Sequence, residues 1–183
     1  MNTDRLQKLA DVIKENADHF RMATWLCNID KDGNWSRSLE KFKHSCKTYA
    51  CIGGFAEMLM AQENVLNFVT KKELDVIDNF GGLEVTEEME VNPAGIDINN
   101  LDLYCFIPQR IIEKAVQKYL GITEDQFADL CYPQEMTFGG TPYVEIEEAE
   151  AAVMVISNLI TTGKVDWSIT DYLIEQAKEN AND

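Results

Sequence analysis

Apolar residues recur every three or four positions at the start of the chain. Leu6, Leu9, Ala10, Ile13 and Ala17 fall on one side of a helix, for which Thr3 and Asp4 are the candidate caps. Phe20, Met22, Trp25 and Leu26 form a second apolar cluster, and the polar stretch 28–38, with Gly33 among Asp and Asn, reads as a turn. Thr48 then predicts the N-cap of a helix over 49–62, in which Ile52, Phe55, Ala56 and Leu59 share one face. Gly53 and Gly54 sit inside that helix, where each glycine costs about 1 kcal/mol against alanine. A close neighbour, another backbone or a ligand, is therefore expected where their Cβ atoms would stand.

Further along, Thr70 opens a helix over 71–80 with Leu74, Ile77 and Phe80 on one side, closed by Gly81 and Gly82. From 83 to 100 the pattern changes to apolar residues alternating with Glu, Asp and Asn, which predicts short strands or an extended arm. Pro108 precedes a helix carrying Ile111, Ile112, Ala115, Tyr119 and Leu120, with Gly121 at its left-handed stop. Thr123 and Gln126 have capping-box spacing for a short helix with Phe127, Leu130 and Cys131 inward, ended by Pro133. Gly139, Gly140 and Pro142 belong to a loop. The longest late helix is expected over 147–161, with Ala149, Ala152, Val153, Ile156 and Ile160 inward and Gly163 as its stop, and Ser168 with Asp171 caps a terminal helix.

These elements define a mainly α fold: one compact multi-helix domain over 1–183, with a short extended or hairpin-like acidic insertion at 83–107. No repeat of solenoid length interrupts it.

Charge changes the picture more than composition does. Hydrophobic residues make up 45% of the chain, with eight Phe and six Tyr, enough for a core. The formal net charge is −16. Residues 1–61 carry nine Lys/Arg and eight Asp/Glu, whereas 62–183 carry seven and twenty-four, so the excess lies late in the chain. Duplex nucleic acid is an unfavourable partner for such a surface, because phosphate binding needs Lys and Arg. No apolar run reaches membrane-spanning length and the start does not resemble a signal peptide, so a cytoplasmic protein without membrane contact is expected, in the host cytoplasm if phage-encoded. Five cysteines, an odd number, read as reduced thiols.

Candidate chemistry gathers at His44, Cys46, Lys47, Cys51, Gly53 and Gly54. A thiol in a first helical turn feels the positive end of the dipole, and neighbouring Lys47 and His44 favour its thiolate. Against this stands ordinary packing of a buried cysteine beside Ile52. The same residues, with Cys27, offer thiolate and imidazole to zinc, although the spacing matches no familiar knuckle. Asn28, Asp30, Asp32 and Gly33 imitate the opening of a calcium loop, but Leu39 occupies the place of the closing glutamate, so these are weak metal candidates and no resident metal or cofactor is expected. The basic residues Arg37, Lys41, Lys43, His44 and Lys47 offer an anion site without any phosphate-loop motif.

The acids Glu84, Glu87, Glu88, Glu90, Asp97, Asp102, Glu145, Glu147, Glu148 and Glu150 are the candidate interaction surface. Carboxylates on a rigid scaffold can imitate a phosphate backbone and fill a basic groove. The plain alternative is a solvated surface.

Three stretches carry a resemblance. Cys46-x-Thr48-x-Ala50-Cys51-Ile52-x-Gly54-Phe55-Ala56, then Tyr119-Leu120-Gly121-Ile122-Thr123-x-x-Gln126-x-x-x-Leu130, then Ala151-Ala152 through Thr162-Gly163-Lys164-Val165-Asp166-Trp167 resemble a set of uncharacterised small bacteriophage and bacterial proteins. The likeness spans 3–60 and 108–167 and departs from the family at Lys47 and Phe55. It implies no established activity, only a phage accessory role. The function expected is a non-enzymatic acidic accessory protein that binds a host or virion protein through a basic surface on that partner, as an inhibitor or nucleic-acid mimic. The alternatives are a small-ligand or metal-binding protein built on Cys46, Cys51 and the glycine pair, and a thiol enzyme using Cys51.

Overall fold

A computed structural model describes residues 1–22, 25–27, 49–63, 68, 109–132 and 145–170. The expected helix over 71–80, the insertion at 83–107 and the loop around Gly139 lie outside the described residues. The first helix, α1 (Thr3–Glu15), is capped by Asn2, one residue before the expected caps: its side-chain oxygen accepts the Arg5 amide at 3.1 Å, and Asp4 falls in the first turn, where its charge suits the dipole. Leu6, Leu9, Ala10 and Ile13 are buried, as their spacing requires. Asn16 ends the helix with its amide nitrogen on the Val12 carbonyl at 2.7 Å, and a single 3₁₀ turn, Ala17–His19, follows.

The next helix begins later than its apolar period predicts. Tyr49 and Ala50 form β2 (Tyr49–Ala50), paired antiparallel with β1 (Leu26–Cys27) so that Leu26 faces Ala50, while Phe20 bridges Ala50 on the other side. With their backbone committed to this small ladder, 49 and 50 cannot also open a helix. The cap of α2 (Ile52–Gln62) is therefore Cys51, in extended conformation, and not Thr48. Ile52 to Ala61 are all buried, so α2 is the central helix of the core, apolar nearly all round.

Three further helices surround it: α3 (Gln109–Leu120), α4 (Glu124–Cys131) and α5 (Glu145–Thr162). Gly121, at φ +64°, closes α3 with its amide on the Lys118 carbonyl at 3.1 Å and the Ile122 amide on the Gln117 carbonyl at 3.3 Å, the paired bonds of a Schellman stop. Thr123 and Gln126 form the predicted capping box, with reciprocal bonds of 3.1 and 2.9 Å. Along α5 the inward face is rotated from the one expected: Ala149, Ala152 and Ile156 are buried, but Val155 and Leu159 join them, and Val153 and Ile160 sit at the edge. A helix apolar on most sides satisfies two overlapping stripes, and packing on α1 selects one.

Helix α1 lies along α5 and also meets α2 and α3, while α2 packs against α3 and α4. The result is mainly helical, with a two-residue ladder holding the entrance to α2. Gly163, at φ +73°, stops α5, and Ser168–Thr170 is a 3₁₀ turn whose Ser168 hydroxyl donates to Asp166 at 2.7 Å. The expected terminal helix lies outside the described residues. No helix among the described residues is long and apolar enough to cross a membrane.

Candidate functional site

The glycine pair of α2 has its close neighbour, and that neighbour is Trp25. A Cβ on Gly54 would overlap the Trp25 carbonyl oxygen, and a Cβ on Gly53 would overlap the indole ring. The same carbonyl accepts the Cys51 amide at 3.3 Å. One helical turn beyond Gly53, Glu57 brings its carboxylate to the indole nitrogen, which donates at 2.5 Å. The glycines thus make a flat track along which an indole lies, and Glu57 marks its far end. Glu57 is 1% exposed, and the indole bond is part of what makes burying a carboxylate tolerable there.

Trp25 also begins a chain of rings. It stacks on Tyr132 at 6.3 Å between centroids and tilts against Phe127 at 6.3 Å; Phe127 meets Tyr132 edge-on at 6.5 Å. The Tyr132 hydroxyl donates to Glu113 of α3 at 2.8 Å, so this ring ties the end of α4 to α3. Burial first, then the Glu113 carboxylate, hold that hydroxyl well above the ordinary tyrosine range.

Cys51 lies beneath this arrangement, 2% exposed, with its sulfur 3.7 Å from the Trp25 carbonyl oxygen. Two effects compete for its proton. Burial disfavours the thiolate, and the amides of Gly54 and Gly53 at the helix start favour it; burial wins and the pKa is pushed up to about 11, with Glu57 adding in the same direction. Near neutral pH, Cys51 is a protonated, enclosed thiol. Cys131, also buried, is pushed well up by burial, with smaller contributions from Cys51 and Glu113.

A second polar cluster lies at the opposite end of α2. Arg5 donates to the Tyr119 carbonyl at 3.0 Å and pairs with Glu63 at 2.6 Å, and its guanidinium lies 4.4 Å from the Tyr119 ring centroid and 5.1 Å from that of Phe68. The Tyr119 hydroxyl completes the group with a 3.2 Å bond to Glu63. This joins α1, α2 and α3 through one cation.

Of the expected site residues, Cys51, Gly53 and Gly54 come together here, while His44, Cys46 and Lys47 lie outside the described residues, as do Asn28, Asp30 and Asp32. Among the acids, Glu84, Glu87, Glu88, Glu90, Asp97 and Asp102 also lie outside them. Glu145 and Glu147 belong to the first turn of α5. Glu148 accepts the Met22 amide at 3.0 Å and so anchors α5 to the segment after the first 3₁₀ turn. Glu150 is exposed, as are Glu124, Asp125 and Asp129 of α4. Among the described residues no cluster of His, Cys, Asp and Glu is arranged to hold a metal ion.

The pattern of apolar residues did not reveal Glu57, Arg5 or Tyr132 as organising groups. One signal was present: Glu57 is the single charge in the run from Ile52 to Ala61, one turn after Gly53. Each resembling stretch has a packing reason as well. Ala50 to Gly54 receives Trp25, Tyr119 to Gln126 holds the Schellman stop and capping box, and Trp167 donates its indole proton to the Asp129 carbonyl at 2.8 Å. Comparison of the chain with protein-family models, curated proteins and solved structures gives no match in any of the three.

Proposed function

We propose that this chain is a non-enzymatic acidic accessory protein, of the kind bacteriophages encode, that binds a host or virion protein bearing a basic surface and inhibits it by occupying that surface as nucleic acid would. The observation that carries this reading is the stretch 119–163, which holds eight acids and no Lys or Arg. Its described carboxylates include Glu124, Asp125, Asp129 and Glu150, all exposed. Burying such a field against a basic partner speeds encounter and selects against acidic competitors. Thiol chemistry draws less support, because Cys51 is enclosed and protonated near neutrality. A ligand seated on the glycine pair draws less too, because Trp25 fills that space.

The test is capture from host lysate at about 50 mM salt followed by elution at about 200 mM, a range over which exposed charge pairs lose much of their attraction. The reading expects a basic protein released within that range. A partner retained unchanged through it overturns the reading.

A further inference from the structure

We propose that the partner's first anchoring point is the rigid aromatic corner at the end of α4, where Tyr132 and the edge of Trp25 receive an arginine or lysine side chain from a basic protein segment. This deepens the acidic-binding reading above and rests on it.

Tyr132 is 50% exposed, and apart from Met1 no other large apolar side chain among the described residues is so open. A single exposed ring is ordinary on a protein surface; this one differs in how it is held. It is stacked on Trp25, met edge-on by Phe127, and fixed at its hydroxyl by Glu113. Trp25 is in turn fixed by Glu57 and by the glycine track of α2. A ring already immobilised loses little freedom on binding, and Tyr and Trp in such positions are the residues on which interfaces concentrate their energy.

The surroundings specify what the ring receives. Asp129 and Asp125 are exposed on α4 within two turns of Tyr132, and no Lys or Arg occurs on that helix. Glu113 adds a third carboxylate at the hydroxyl. A ring face beside carboxylates favours a cation, and guanidinium above all, which can stack on the ring and pair with a carboxylate at once. Arg110 and Lys114, exposed on α3 beside Glu113, limit the attraction on that flank and direct the incoming chain toward the α4 side.

The experiment uses the full chain and fluorescently labelled nona-arginine as probe, with binding read by anisotropy at about 50 mM salt. Tyr132→Ala is expected to weaken binding about five-fold or more, the loss that sets a contributing interface residue apart from a near-neutral contact, whereas Tyr132→Phe, which keeps the ring, stays within about two-fold of wild type. Asp129→Asn is expected to weaken binding more than Glu150→Gln, which removes an equal charge on α5. Should Tyr132→Ala unfold, the wild-type indole N–H resonance of Trp25 gives the answer alone: it shifts on addition of nona-arginine. If Tyr132→Ala folds and binds as wild type, or the Trp25 signal stays still while binding proceeds, the corner is not the anchor and the acidic reading stands without it. If wild type does not bind nona-arginine at all, both fall.

Discussion

Glycine inside a helix is a cost unless something occupies the space it leaves, and at Gly54 that something is a backbone carbonyl that cannot move aside cheaply. Gly54→Ala is expected to cost about 2–3 kcal/mol, in the range of an overpacked core. Gly163, left-handed at φ +73° but with nothing near its would-be Cβ, is the control, and its alanine variant loses only about 1 kcal/mol. Urea unfolding of the two side by side checks this; equal losses would mean that Trp25 does not press on α2. Cys51 gives a pH test at the same scale. Its folded pKa of about 11 lies above the ordinary thiol value of 9.0, so between those values the unfolded chain releases a proton that the folded one keeps. Stability contributed by the neutral thiol is therefore full below pH 9 and falls as pH rises toward 11, by about 1.4 kcal/mol per unit. Cys131 adds loss in the same direction. Cys51→Ala, which removes one of the two buried thiols among the described residues, should flatten the unfolding profile over that range, and an unchanged slope would contradict the assignment.

Among the elements, the capping box offers the cleanest check. Thr123→Ala removes the acceptor for the Gln126 amide and is expected to cost about 1 kcal/mol by thermal unfolding. Gln126→Ala should cost more, since that side chain also donates to the Gly163 carbonyl at 2.8 Å and so holds the end of α5 against the start of α4. The reverse order would show that the box acts only within α4. Signals of this kind are short-range and were legible in sequence: the capping box, the Gly121 stop and the inward faces of α1, α3 and α4 all follow from local spacing. What local spacing missed was set by distant partners. The entrance to α2 moved from Thr48 to Cys51 because β1, more than twenty residues earlier, claims the backbone of 49 and 50. The buried stripe of α5 turned toward Val155 and Leu159 because α1 lies there. The need for a neighbour at the glycine pair was visible, but its identity as Trp25 depended on the fold of the intervening chain.

At the scale of the molecule, the helical core explains most of the apolar residues among the described ones and leaves the charge over. Helix N-termini favour part of it without covering it: Glu124 and Asp125 stand in the first turn of α4, where the dipole suits them, and both stay exposed. Glu148 is spent on the Met22 amide. The exposed remainder carries the functional claim, and the most direct test removes its charge while keeping its shape. A variant with Glu124→Gln, Asp125→Asn, Asp129→Asn and Glu150→Gln should keep its helical circular dichroism. Captured from the same lysate at about 50 mM salt, it should lose the basic partner that the unaltered chain retains. Undiminished capture by this folded variant would contradict the claim that these carboxylates do the binding.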